Sequence, residues 1–124
     1  MTSRRGARRD ALVVLYQWDV TGRPLASLFE GDLDEWSREL AESVAARAGE
    51  LDSRITHAAT DWTADRLGAL ERNVLRIALE ELDRGEAPKE VVIDEAVTLA
   101  KRYATEDAGR LVNGILGAVV REAA

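Results

Sequence analysis

The feature that most constrains this chain is a long apolar pattern of helical period near its C-terminus. Seven apolar residues recur at intervals of three and four, which places them on one face of an α-helix. They are Ala108, Leu111, Val112, Ile115, Leu116, Val119 and Val120. Thr105 is the expected N-cap, and Glu106 and Asp107 follow in the first turn, where the helix dipole favours negative charge. Gly114 and Gly117 each weaken this helix by about 1 kcal/mol, so we expect them to permit close approach of another helix.

The helical period continues through the rest of the chain, and the alternating apolar and polar runs typical of strands are absent. The first helix is predicted from about Arg4 to Val20, with Ser3 as N-cap and Gly22 as a left-handed C-terminal residue. A short helix should follow from Pro24 to Phe29. The sequence therefore predicts an all-α fold.

Helix boundaries in the middle of the chain are predicted from capping and helix-breaking residues. Asp32 is the expected N-cap of the next helix, with Glu35 close to a capping box, and Gly49 is expected to break that helix. A short turn is predicted at Asp61 and Trp62. The densely apolar segment from Leu67 to Leu82 covers more than one helical face, which predicts a central, buried helix. Pro88 should begin the helix after it.

Composition limits the classes of function that the chain can have. A chain of 124 residues corresponds to one domain. Its length does not decide whether that domain contains two helical lobes. The sequence has no cysteine and no apolar run long enough to span a membrane, so we expect a cytoplasmic protein. The only histidine, His57, has no nucleophile or metal-ligand motif near it and is expected on a helix surface. A binding protein without metal or cofactor is therefore favoured over an enzyme.

The charge distribution is asymmetric. The chain carries 17 basic and 23 acidic residues, a net charge of -6, yet four arginines fall among the first nine residues. These are Arg4, Arg5, Arg8 and Arg9. Such a cluster is either a local anion-binding site or a solubilising tail, and the guanidinium group suits phosphates and base edges. Composition alone leaves both interpretations open.

Several blocks of sequence, in order, resemble the NusB family of bacterial transcription antitermination factors. The N-terminal blocks are Arg4-Arg5, Ala7-Arg8, Ala11-Leu12, Leu15-Tyr16 and Trp18. The later blocks are Arg66-Leu67, Glu71 to Ala78, Glu81-Leu82, Pro88, Val92 to Val97, Leu99 to Lys101 and Val112 to Leu116. They cover roughly residues 4–20 and 62–117, whereas residues 22–61 are not distinctive.

The resemblance implies a fold and an activity. The fold would be a single domain, residues 1–124, of about seven helices in two small bundles, divided near residues 61 and 62. The activity would be binding of single-stranded boxA-type RNA together with the ribosomal protein NusE. The complex would then join other Nus factors on RNA polymerase and support ribosomal RNA transcription. Self-association as a homodimer is left open.

The resemblance also assigns roles to individual residues. The four N-terminal arginines fall in the arginine-rich RNA-binding segment, and Gly6 replaces a basic residue that is frequent there. A second RNA-contacting segment corresponds to Lys101, Glu106, Asp107 and Arg110. If all four arginines met phosphates, the log–log salt slope of binding would be about -3. Glu106 and Asp107 could equally serve as helix-capping acids.

Three further residues match positions that face NusE in the family. They are Tyr16, Asp65 and Glu71. The acidic side chains of Asp65 and Glu71 would complement a basic ribosomal protein. The aromatic side chain of Tyr16 would suit a protein interface. For Tyr16, a place in the core is the alternative.

Two positions depart from the family pattern. Asp94 replaces a usual asparagine, so its carboxylate would need another partner or a proton. Leu111 replaces an aromatic residue found in some relatives, which would remove about 1–3 kcal/mol if that ring stacks on a base.

The sequence leaves three other functions to consider. The chain could be a protein–protein adaptor whose arginines are only a solvated tail. It could be an accessory RNA-binding domain like the one fused to certain ribosomal RNA cytosine methyltransferases. A helix-turn-helix DNA-binding protein is disfavoured, because no basic recognition helix is visible.

Overall fold

The computed structural model describes residues 3–29, 31, 33–60 and 63–123 and confirms the all-α prediction. Six α-helices and two short 3₁₀ helices make up this part of the chain, which contains no strand. The α-helices are α1 (Arg4–Thr21), α2 (Glu35–Ala46), α3 (Ala48–Ala58), α4 (Ala69–Arg84), α5 (Lys89–Tyr103) and α6 (Glu106–Ala123). The 3₁₀ helices are Leu25–Leu28 and Ala64–Arg66. The first of these is the short helix expected after Pro24.

Most predicted helix ends are confirmed by their capping contacts. The Ser3 hydroxyl accepts a hydrogen bond from the amide of Gly6 at 3.1 Å. Gly22 adopts φ 72°, a left-handed conformation that favours glycine. The Thr105 hydroxyl accepts from the amide of Ala108 at 2.9 Å, so this residue caps α6 as expected. The central helix α4 begins and ends two residues later than predicted.

Two boundaries around α2 differ from the prediction. The carboxylate of Asp34 accepts from the amide of Trp36 at 2.8 Å and caps the helix, whereas Asp32 lies outside the described residues. Aspartate is a preferred N-cap because its carboxylate accepts a hydrogen bond from a free amide of the first turn, and Asp34 makes that contact here. The interruption between α2 and α3 falls at Arg47, so the predicted break at Gly49 is wrong. Gly49 lies inside α3, where its propensity cost does not end the helix. The turn predicted at Asp61 and Trp62 is outside the described residues.

The expected close approach of helices at Gly114 and Gly117 is wrong. A Cβ at Gly114 would have no neighbour within 4 Å, and one at Gly117 would meet only the Arg121 side chain at 3.3 Å. The crowded glycine of α6 is Gly109, where a Cβ would lie 2.5 Å from Cγ of Lys101. The close approach therefore occurs in the first turn of α6, against the end of α5.

Helix α4 lies at the centre of the fold and contacts each of the other five α-helices. Every residue from Asn73 to Glu81 is buried, which confirms the prediction of a central helix. Leu75 and Leu79 are fully buried in a core cluster to which all six α-helices contribute. Truncation of such a leucine to alanine typically costs about 2–5 kcal/mol.

The surface features of the remaining helices agree with the sequence. His57 is exposed on α3, and its Nε2 lies 3.5 Å from a carboxylate oxygen of Glu122 on α6. In the described part of the chain, no helix combines the length and apolar character needed to cross a membrane.

Candidate RNA and partner interface

The four N-terminal arginines all lie in the first two turns of α1, but they have different environments. Arg5 is exposed and pairs with Glu95 of α5 through two hydrogen bonds, Nε to Oε2 at 3.1 Å and Nη2 to Oε1 at 2.9 Å. The hydrogen bond from Arg5 and its charge lower the pKa of Glu95, which therefore stays ionised. The pair joins the start of α1 to the middle of α5.

Arg8 is buried, which the sequence did not indicate. Its residue is only 6% exposed, and its guanidinium donates from Nε and Nη2 to the two carboxylate oxygens of Glu81, both at 2.8 Å. The hydrogen bonds to Glu81 raise the pKa of Arg8 in spite of its burial. A bidentate buried pair of this kind is a structural contact between α1 and α4. The structure therefore does not present Arg8 with the other three arginines as a phosphate ligand.

Arg4 and Arg9 remain accessible on α1. The guanidinium of Arg9 is about half exposed and pairs with the neighbouring Asp10 at 3.2 Å. The guanidinium carbon of Arg4 lies 4.1 Å from the centroid of the Trp36 ring on α2, which is a cation–π contact. The accessible positive surface of α1 consists of Arg4, Arg5 and Arg9, and we call it the arginine face.

The second predicted RNA segment is the turn between α5 and α6, where its four charged side chains pair locally. Nζ of Lys101 lies 3.9 Å from a carboxylate oxygen of Glu106, and Arg110 pairs with Asp107 one turn away on α6. All four side chains are between about half exposed and largely exposed. The aliphatic part of Lys101 crosses the first turn of α6 at Gly109, because that residue has no Cβ.

Helix α5 borders both predicted RNA segments. Arg5 contacts Glu95, and one turn further along α1 Arg9 lines a cleft together with Tyr103 at the end of α5. Lys101 lies two residues before Tyr103. The arginine face and the α5–α6 turn are therefore both adjacent to α5, although no ion pair or side-chain hydrogen bond joins them among the described residues.

An apolar cleft of about 230 Å³ lies between α1, α4 and α5. We call it the apolar cleft; its lining residues are Arg9, Leu12, Val13, Tyr16, Gln17, Leu70 and Tyr103. Tyr16 is 39% exposed and Tyr103 is 38% exposed, so Tyr16 is not a core residue. Exposed aromatic and aliphatic side chains around a cleft are typical of protein interaction sites.

The other two predicted partner residues lie at different distances from this cleft. Glu71 follows Leu70 at the start of α4, and its carboxylate folds back over Gly68, where a Cβ would lie within 3.2 Å of its Cδ. Asp65 is exposed in the Ala64–Arg66 turn and borders a separate cleft lined by residues of α3. A hydrogen bond from the Thr63 hydroxyl lowers the pKa of Asp65, which keeps it negatively charged.

A network centred on Asp19 joins the elements that carry Tyr16, Glu71 and Asp65. One Asp19 oxygen accepts from Arg72 at 2.9 Å, from Asn73 at 2.9 Å and from Arg76 at 3.1 Å. Arg72 also donates to the backbone carbonyls of residues 64 and 67, at 3.1 and 2.8 Å. The network therefore fixes the Ala64–Arg66 turn against α1 and α4.

The two departures from the family pattern lie in different environments. Asp94 is exposed on α5, so water can solvate its carboxylate, and it makes no ion pair within the described residues. Leu111 is partly buried and packs against the core, so it is not presented as a stacking surface.

Sequence reasoning missed several residues of these surfaces. Glu81 and Glu95 were visible only as acids on helices, and their arginine partners lie 73 and 90 positions away. Nothing in the sequence indicated that Tyr103 and the partly buried Leu70 would line one cleft with Tyr16. No group of three or more histidine or acidic side chains in the described part of the chain is arranged to hold a metal ion.

Comparison with known proteins agrees with the resemblance seen in the sequence. A model of the NusB family matches residues 5–121. The transcription antitermination protein NusB of Solibacter usitatus (strain Ellin6076) is 36% identical, over 98% of this chain and 91% of the relative. That of Anaeromyxobacter dehalogenans (strain 2CP-1) is 40% identical, over 96% of this chain and 92% of the relative.

Solved structures show the same fold. T. maritima NusB is 32% identical with a TM-score of 0.86, covering 98% of this chain and 92% of its own. A crystal structure of the antitermination factors NusB and NusE in complex with dsRNA contains a chain that is 34% identical, with a TM-score of 0.85 and 96% coverage of both chains. Near-complete coverage in sequence and structure establishes that this chain belongs to the NusB family.

Proposed function

We propose that this protein is an RNA-binding transcription antitermination factor that binds boxA-type single-stranded RNA together with NusE. The observation that carries the proposal is the position of the arginine face and the apolar cleft on adjacent parts of α1. Arg9 belongs to both, so RNA on one surface and a protein on the other would meet along a single helix. Relatives with the name transcription antitermination protein NusB support the same activity.

The charge of the surface supports RNA as the ligand. The rest of this acidic chain repels polyanions, so three accessible arginines on one helix end provide a localised phosphate-binding surface. Lys101 and Arg110 would extend that surface along the α5–α6 turn, whereas Glu106 and Asp107 would accept hydrogen bonds from base amino groups. With Arg8 buried, three N-terminal contacts predict a salt slope of about -2 rather than -3.

The apolar cleft supports NusE as the protein partner. Tyr16 and Tyr103 would supply aromatic anchors, while Glu71 and Asp65 would face a basic ribosomal protein. A NusB chain of the same fold has been crystallised with NusE and dsRNA, which supports both partners for this protein. Binding to RNA and NusE, rather than catalysis, would then be its biochemical role.

The wider assembly is also a proposal. We infer that the complex acts in the cytoplasm, joins other Nus factors on RNA polymerase and supports ribosomal RNA synthesis. Within the fold, residues 1–61 and 62–124 would form two small bundles that share α4 as a common wall. Self-association through the arginine face would compete with RNA.

The test is a titration of labelled boxA-like RNA and a scrambled control, followed by fluorescence anisotropy, with and without NusE, at two salt concentrations. We expect tighter binding to the boxA-like RNA, a further gain with NusE, and weaker binding at high salt. A variant with Arg4 and Arg5 changed to alanine should lose most of the RNA binding while it still binds NusE, because neither residue lines the apolar cleft.

One result would refute the proposal. If the protein binds NusE but does not prefer the boxA-like RNA, and the Arg4 and Arg5 double alanine variant behaves in the same way, the protein is an adaptor without specific RNA binding of its own. Size-exclusion chromatography at the titration concentrations would detect a homodimer and its dissociation by RNA.

A further inference from the structure

Arg4 differs from the other N-terminal arginines in its contacts. Arg5, Arg8 and Arg9 each pair with a carboxylate, whereas Arg4 makes no ion pair among the described residues. Its guanidinium instead lies over the Trp36 ring, with 4.1 Å between the guanidinium carbon and the ring centroid. The residue is exposed, so its opposite face and its N–H donors are open to solvent.

The Trp36 ring is held in place by its surroundings. It packs against the core at the start of α2, where Asp34 caps the helix through the amide of Trp36. The buried Ser37 hydroxyl donates to the carbonyl of Ala7 at 2.8 Å and ties α2 to α1. Nε1 of the indole is buried without a hydrogen-bond partner in the described part of the chain, and the contact of the ring with Arg4 is made through its π face.

The buried arginine contributes to the same arrangement. The guanidinium carbon of Arg8 lies 5.7 Å from the Trp36 centroid, and its bond to Glu81 fixes it there. Trp36 therefore lies near two arginines of α1, a buried one that is paired with Glu81 and an exposed one, Arg4, that it contacts more closely.

We propose that Trp36 is a positioning residue that holds the Arg4 guanidinium as a platform on which one unpaired RNA base stacks. Guanidinium planes stack on bases, and a guanidinium already held 4.1 Å from the centroid of an aromatic ring has lost part of the rotamer freedom that stacking would otherwise remove. Base, guanidinium and indole would then form a three-layer stack. This inference rests on the proposed RNA binding and adds α2 to the RNA surface.

The proposed stack would allow this protein to stack on an RNA base although position 111 is a leucine and not an aromatic residue. Leu111 packs against the core and offers no ring, whereas Trp36 supplies an aromatic ring beside Arg4. Stacking depends on a flat surface and not on base identity, so the platform adds affinity with little sequence preference.

The test combines substitution of Trp36 with an abasic scan of the boxA-like RNA. Wild-type protein should lose affinity, by about tenfold, when one particular nucleotide lacks its base. Trp36→Leu should bind intact RNA about tenfold more weakly and should no longer respond to that abasic nucleotide. Trp36→Phe, which keeps an aromatic face, should recover most of the affinity. Trp36→Leu combined with Arg4→Ala should be no weaker than Arg4→Ala alone.

A second cation–π contact provides a matched control. The guanidinium carbon of Arg38 lies 4.8 Å from the Phe29 centroid, and both residues lie outside the predicted RNA segments. Phe29→Leu should leave RNA affinity and the abasic profile unchanged. Thermal melting and NusE binding of each variant would show that the fold is retained.

The outcomes separate the two proposals. If the wild type binds boxA-like RNA and Trp36→Leu keeps both its affinity and its abasic profile, the platform is refuted while RNA binding stands. An equal loss in Trp36→Leu and Phe29→Leu would likewise refute it, since the effect would be general. If the wild type does not prefer boxA-like RNA, the proposed function itself fails.

Discussion

Arg8 on α1 and Glu81 on α4 form a buried pair with two parallel hydrogen bonds of 2.8 Å. Both residues are 6% exposed. The pair divides the arginine cluster of the sequence into one structural residue and three accessible ones. It also fixes the orientation of α1, and with it the arginine face, relative to the central helix.

Loss of one member of this pair should destabilise the fold. Arg8→Ala leaves the Glu81 carboxylate buried without its partner, which should lower the free energy of unfolding by about 3–5 kcal/mol in urea denaturation. Arg9→Ala is the matched control, because its guanidinium is about half exposed and its pair with Asp10 contributes at most about 1 kcal/mol.

The double variant Arg8→Met with Glu81→Leu tests whether Arg8 is structural only. Replacing both charges by apolar groups should restore most of the stability that Arg8→Ala loses. RNA affinity of this variant should be close to that of the wild type. A stable double variant that has lost RNA binding would instead show that Arg8 contributes to RNA binding, either directly, as the resemblance implies, or through its contact with Trp36.

Glu95 should restrain RNA binding by holding Arg5. Glu95→Gln removes the charge partner of an exposed arginine, so we expect RNA affinity to rise by about two- to fivefold, in line with the strength of a surface ion pair. Asp94→Asn makes the same change in net charge at the neighbouring exposed residue and controls for general electrostatics. Equal gains in the two variants, measured by anisotropy at one salt concentration, would argue against a specific release of Arg5.

The helices were predictable from the sequence because their apolar residues recur with a period that needs no knowledge of tertiary contacts. Caps such as Ser3 and Thr105 were also predictable without knowledge of tertiary contacts, because a cap and the amide that it accepts from lie only three residues apart. Asp34 shows the limit of this approach. Several acids precede α2, and the backbone conformation decides which of them reaches a free amide.

The candidate site was predictable only as a set of residue types. Four neighbouring arginines look alike in sequence, and their different environments are decided by Glu81, Glu95 and Trp36, which come from three other helices. The exposure of Tyr103 also depends on packing, because α1 and α4 leave the end of α5 uncovered. Long-range partners of this kind cannot be deduced from helical periodicity.

The Asp19 network should make stability depend on pH in the acid range. Burial alone would raise the pKa of Asp19, but the hydrogen bonds and charges of Arg72 and Arg76 outweigh it and lower that pKa. A carboxylate with a lowered pKa in the folded state contributes stability above its unfolded pKa of about 3.9, and this contribution is lost as the pH falls through the folded value. Stability should therefore decrease below about pH 4.

Asp19→Asn tests this contribution. The variant should be less stable by about 1–3 kcal/mol at neutral pH, because hydrogen bonds from charged donors to a carboxylate are lost. The difference from the wild type should shrink as the pH falls. Asp94→Asn, at an exposed site without an ion pair, should leave the pH profile unchanged. A constant difference between Asp19→Asn and the wild type across the acid range would contradict the assignment.

Gly109 should control the position of Lys101 at the α5–α6 turn. A Cβ there would lie 2.5 Å from Cγ and 3.0 Å from Cε of Lys101, so Gly109→Ala must displace that side chain. The backbone can stay in place, because the atoms that clash belong to a flexible side chain. We therefore expect RNA affinity to fall about as much as in Lys101→Ala, without loss of stability, since alanine favours the helix by about 1 kcal/mol.

Gly114→Ala on the same helix is the matched control, because a Cβ there meets nothing within 4 Å. This variant should gain about 1 kcal/mol of stability and bind RNA like the wild type. Gly109→Ala combined with Lys101→Ala should bind no more weakly than Lys101→Ala alone, since both changes remove the same contact. If Gly109→Ala keeps wild-type affinity while Lys101→Ala loses it, Lys101 reaches the RNA from a conformation that does not depend on Gly109.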